Sequence, residues 1–142
     1  MNLKRVCLFL VLVLVVVAGA FAQERAISEL KMRCTRFFVF DTNSDVTSTI
    51  RDAVFGEYSN GRALITVYYR NGATEYIHLS NGRRSQSFSV STTLEYDAAI
   101  TSGQQRIANM TCQLSTMNSG KVLSVAILNG GRLLYSIWLE EM

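Results

Sequence analysis

The chain has no proline, one histidine and one tryptophan among its 142 residues. Without proline, and with no Gly/Ser-rich or single-sign charged stretch, nothing reads as a linker, so residues 23–142 are expected to form a single domain. One histidine rules out a site built on several imidazoles and restricts any Ser-His-Asp arrangement to His78. No serine lies in the glycine pattern of a nucleophile elbow. Basic clustering is also scarce: beyond residue 22, Arg83-Arg84 is the only adjacent basic pair, which reads as a solvated loop tip and gives no support to nucleic-acid binding.

The one long hydrophobic run is at the start. Lys4 and Arg5 precede residues 6–17, all apolar, a stretch too short to span a hydrocarbon core of about 30 Å. Ala20-Phe21-Ala22 then places small residues at the positions a signal peptidase reads for a cut before Gln23. Residues 1–22 are therefore expected to be a signal peptide, and the remaining domain to be secreted or periplasmic and not to span a membrane.

Cleavage there would remove Lys4 and Arg5, leaving 12 basic residues against 11 acidic ones and lowering the net charge from +3 to about +1. It would also remove Cys7, leaving Cys34 and Cys112. An even number of cysteines in an exported domain predicts a Cys34–Cys112 disulfide, worth roughly 4 kcal/mol in the chain-entropy model. Two buried thiols are the alternative.

Asn60-Gly61, Asn71-Gly72, Asn81-Gly82 and Asn129-Gly130, with Asn118-Ser119-Gly120, punctuate the chain where tight turns need positive φ. Between them lie β-branched and aromatic runs at about 34–41, 53–59, 62–70, 73–80, 86–96, 105–116, 121–128 and 132–140. A two-residue loop at Asn71-Gly72 would set Leu64 opposite Leu79 and Thr66 opposite Ile77, with Ile65, Val67, Tyr76 and His78 on the other face. Alternation groups Cys34 with Phe38 and Phe40, and Ala108 with Met110, Cys112 and Leu114.

The expected fold is thus mainly β: an antiparallel meander of about seven to eight strands closing as a small barrel or sandwich, the barrel favoured. Ile27 and Leu30 at helical spacing predict a short N-terminal helix over residues 23–32. Residues 44–52 fit either a helical turn or the start of a strand.

Candidate chemistry is sparse. Asp41, Asn43, Asp45 and Asp52 partly copy the spacing of a calcium loop, but Val46 stands where that loop needs glycine, so a polar turn is the competing reading. The carboxylate groupings Glu95 with Asp97 and Glu140 with Glu141 read as solvated edges. Asn109-Met110-Thr111 matches a glycosylation acceptor. Tyr68, Tyr69, Tyr76 and Trp138 are candidate binding aromatics. No cofactor motif is present. The leading expectation is a non-enzymatic binding or interaction module acting on an envelope or extracellular protein. The alternatives are a barrel carrier of a small apolar ligand and a weak hydrolase using His78.

Overall fold

The computed structural model describes residues 26–87 and 91–142. The strands are β1 (Ala26–Val39), β2 (Ser44–Asp45), β3 (Ile50–Tyr58), β4 (Ala63–Tyr69), β5 (Thr74–Ser87), β6 (Ser91–Ser102), β7 (Gln105–Met117), β8 (Val122–Asn129) and β9 (Arg132–Glu141). Each pairs antiparallel with its neighbour, and β9 returns to pair with β1, so eight strands close into an up-and-down barrel. The two-residue β2 is an addition at the end of β1. Closure pairs the first long strand with the last, while β5 runs past the start of β4, so residues 80–87 pair with β6 alone.

The interior is packed by one apolar cluster that includes Met32, Phe37, Ile65, Ile77, Ile127 and Leu139, each fully buried. Burying such side chains contributes about 1.5–3 kcal/mol each, which makes this cluster the main stabilising element. Outward positions carry the charges, among them Arg33, Arg36, Arg51, Arg106 and Asp97.

The expected N-terminal helix does not form over residues 26–32. They belong to β1, where Leu30 pairs with Phe55 and Met32 with Ala53. Helical spacing of two apolar residues is outweighed by burial of Met32 inside the barrel. Residues 23–25 lie outside the described residues, as does the expected signal peptide. Residues 44–52 combine both readings, with β2, then a 3-10 turn over Thr47–Thr49, then β3.

Three local readings need correction, each because the backbone left strict alternation. The Asn71-Gly72 hairpin closes with a longer loop, in which Tyr69 N–H donates to Ala73 O at 2.9 Å and Gly72 has φ of 90°. The register is therefore one residue off: Ile65 faces Ile77 and Ala63 faces Leu79, all inward, while Leu64, Thr66, Tyr76 and His78 face out.

Asn81-Gly82 is no hairpin turn but a bulge within β5, where pairing to β6 jumps between Ser80 and Arg83. Asn81 takes φ of 53° and its amide donates to Asp97 Oδ2 at 2.7 Å, which holds the bulge without reversing the chain. A further bulge in β1, between Cys34 and Arg36, turns Phe37 inward and Phe38 outward. Cys34, Phe38 and Phe40 therefore do not share a face.

The expected disulfide is absent: Cys34 and Cys112 are free thiols. The row through Cys34 runs to Leu139, then Leu123, and reaches β7 at Thr116, four residues beyond Cys112. The two thiols thus sit on different strands and at different heights of the barrel. Burial pushes Cys34 up to about 11, against a weaker opposing pull from its hydrogen bond to Arg36 O, and pushes Cys112 up to about 12.

Candidate functional site

The aromatic candidates divide between the inside and two opposite outer walls. Trp138, on β9, is 38% exposed and lies across from Arg36 of β1. Beyond Arg36 on the same wall come Phe38 and Phe40, their rings edge-on at 4.8 Å, with the Arg36 guanidinium 5.7 Å from the Phe38 centroid. Phe40 is 41% exposed. This cation-aromatic stripe exists because the β1 bulge rotates Phe38 out of the core, and simple alternation hides it.

Tyr68 and Tyr76 lie on the other wall. Arg51 stacks 5.1 Å above the Tyr68 ring, and Tyr76 stands beside His78 with ring centroids 6.3 Å apart. Tyr69 instead points inward, where its hydroxyl donates to Glu75 Oε2 at 3.4 Å. Glu75 is buried among Tyr69 and Tyr135, and its Oε1 has no hydrogen-bond partner. Burial raises its pKa, and the two tyrosine hydroxyls pull it back only in part.

His78 lies on the floor of an outer-wall cleft of 760 Å³ formed by β4 to β7. Its Nε2 is 3.3 Å from the Thr101 hydroxyl, and partial burial, helped by the nearby Arg106, lowers its pKa. Ala99 lies directly across from it on β6. Asp97 lines the same cleft, but its carboxylate is taken by Asn81 and by Arg83 at 3.4 Å, and these contacts lower its pKa. Arg83 also bridges to Glu95 at 2.8 Å, so Glu95 and Asp97 share one guanidinium. Among the described residues no carboxylate is hydrogen-bonded to His78, as a hydrolytic triad needs.

The calcium-like segment disperses. Asp41 pairs with Arg132 of β9 at 3.1 Å, and Asp45 accepts from the Thr47 N–H and hydroxyl at 3.0 and 2.5 Å. Asp52 sits within β3 beside Arg51, and Asn43 takes φ of 49° in the turn. Among the described residues no group of three or more His, Cys, Asp or Glu converges as a metal site. Asn109, of the glycosylation pattern, is exposed at a bulge in β7 with φ of 61°.

No family model matches the chain, and no curated protein or solved structure matches it either.

Proposed function

We propose that this chain is an exported, non-enzymatic interaction module that docks a protein of the envelope or extracellular space on the β1–β9 wall. The observation that carries this reading is the stripe of Trp138, Arg36, Phe38 and Phe40 on the outside of a barrel whose interior is already filled. Aromatic residues and arginine are the side chains that dominate binding energy in protein interfaces, and a closed barrel presents them with little ordering cost.

The packed interior argues against the carrier alternative, which asks for an internal cavity of several hundred Å³. The inward-apolar, outward-charged alternation is the reverse of what a membrane-spanning barrel needs. Export rests on the basic, apolar and small-residue succession of residues 1–22.

Site-specific photocrosslinking in the native compartment tests this reading. A photoreactive residue at Ser136, on the aromatic wall, should give an adduct to one discrete partner that is lost when Trp138 becomes Ala. The same group at Gln113, on the distant β7 wall, should not give it. Adducts that form equally from both positions, or that persist in Trp138→Ala, would refute the proposal.

A further inference from the structure

The cleft on the opposite wall has a distinct construction. Two bulges flank β6: the Asn81-Gly82 bulge of β5, and one in β7 where the pairing jumps between Ala98 and Ile100 and Asn109 takes φ of 61°. Bulges bend strands and increase local twist, so two of them on either side of one strand make the outer wall concave there. On the outward face of β6 the residue across from His78 is Ala99, whose small side chain leaves the hollow unfilled. Its volume of 760 Å³ lies within the range of small-molecule sites.

The charges around this hollow are unbalanced. Arg106 lines it and makes no ion pair among the described residues. Among the described residues the one carboxylate in the lining is Asp97, which Arg83 and Asn81 already engage from outside the hollow. His78 and Asn109 add nitrogen donors, and Ser80 and Thr111 add hydroxyls. A half-enclosed wall raises the strength of a guanidinium–oxyanion contact over that in open water.

We propose that this cleft is a binding site for a small molecule carrying an oxyanion, a carboxylate or a phosphoryl group, held by Arg106 over the floor formed by His78 and Ala99. The site is separate from the aromatic wall, since β4 to β7 lie on the other side of the barrel from the β1–β9 pair. Its failure would therefore leave the docking proposal untouched.

The test is amide and side-chain NMR of the purified full chain, titrated with sodium phosphate and with sodium succinate against sodium chloride at matched ionic strength. Saturable shifts are expected at His78, Ala99 and Asn109. Arg106→Ala should weaken binding at least tenfold and Arg106→Lys less, because lysine keeps the charge but loses the fork of donors. Arg132→Ala, at the Asp41 pair, should leave binding unchanged. Ala99→Leu, which fills the floor, should abolish it, and the exposed Arg106 variants keep the test decisive if that core-adjacent change unfolds the chain. Saturation by phosphate alone assigns a phosphoryl ligand; saturation by succinate, with or without phosphate, assigns a carboxylate. The proposal is overturned if neither anion saturates by about 10 mM, or if Arg106→Ala binds as tightly as the parent.

Discussion

The ring of Tyr96 occupies the space beside Gly82, where an added Cβ would come within 2.6 Å of Tyr96 Cε1. Tyr96 is 8% exposed, so its ring cannot swing into solvent without opening the core. Gly82→Ala is expected to cost about 1–3 kcal/mol, the range for overpacking, measured by urea unfolding. Tyr96→Val should return part of that cost in a double-mutant cycle. Gly61→Ala is a useful contrast, since nothing lies within 4 Å of its Cβ and only its φ of 78° opposes the change. If the cycle shows no coupling between positions 82 and 96, the contact is not what requires glycine.

Glu75 should make the barrel lose stability as pH rises. Its folded pKa is raised above the ordinary value of 4.5, chiefly by burial. Below that value both folded and unfolded chains hold the proton, so the favourable contribution of the neutral form is fully present. Above it the unfolded chain ionises first, and stability falls until the folded pKa is passed. Glu75→Gln removes this proton linkage. Its unfolding free energy should match the parent near about pH 4 and exceed it near about pH 8. A parent and variant with parallel pH profiles would show that the buried carboxyl is not the cause.

Both thiols should be present and sluggish. Burial holds Cys34 at about 11 and Cys112 at about 12 against an ordinary 9.0, so the Cys34 thiolate population is about a hundredfold below that of a free thiol at neutral pH. Iodoacetamide should modify the native protein slowly and label both cysteines quickly in urea, without reductant. Failure to label Cys34 and Cys112 in the unfolded, unreduced protein would mean that the bridge expected from the cysteine count does form.

Trp138→Ala should weaken docking of the partner captured at the β1–β9 wall by about 30-fold, the equivalent of about 2 kcal/mol. Because the side chain faces outward, Tm should move far less than for truncation of inward Ile137 or Leu139, each fully buried, where about 2–5 kcal/mol is expected. Calorimetry and surface-binding measurements on the same preparations separate the two effects.

Much of the architecture was legible in the sequence. The Asn-Gly pairs at 60–61, 71–72 and 129–130 mark real turns because positive φ is a local requirement, met by the residue itself. Of the face grouped on β7, Met110, Cys112 and Leu114 are buried because β7 alternates without interruption over those positions, whereas Ala108 is exposed because the bulge at Asn109 breaks the alternation before Met110. Asn81-Gly82 has the same local chemistry but a different outcome. There the neighbouring strand continues, Asp97 accepts from the Asn81 amide, and the chain bulges where it could have turned. Of the candidate site residues, Trp138 was visible as an aromatic, but its companions Phe38 and Phe40 read as core because one inserted residue in β1 reverses their faces.

Sequence alone determined that the chain makes an antiparallel β meander, and that the turns at 60–61, 71–72 and 129–130 fall where asparagine and glycine relieve the backbone. Those properties depend on each residue's own sterics and on the period-two alternation of its neighbours. Only the tertiary structure decided the closure of β9 on β1, the place of each bulge, and hence which side chains face out. A one-residue change of register costs little locally yet moves every following side chain to the other face, so burial of the whole core has to choose among registers. That choice placed Phe38 beside Arg36 on the surface, set Glu75 inside, and kept Cys34 and Cys112 apart.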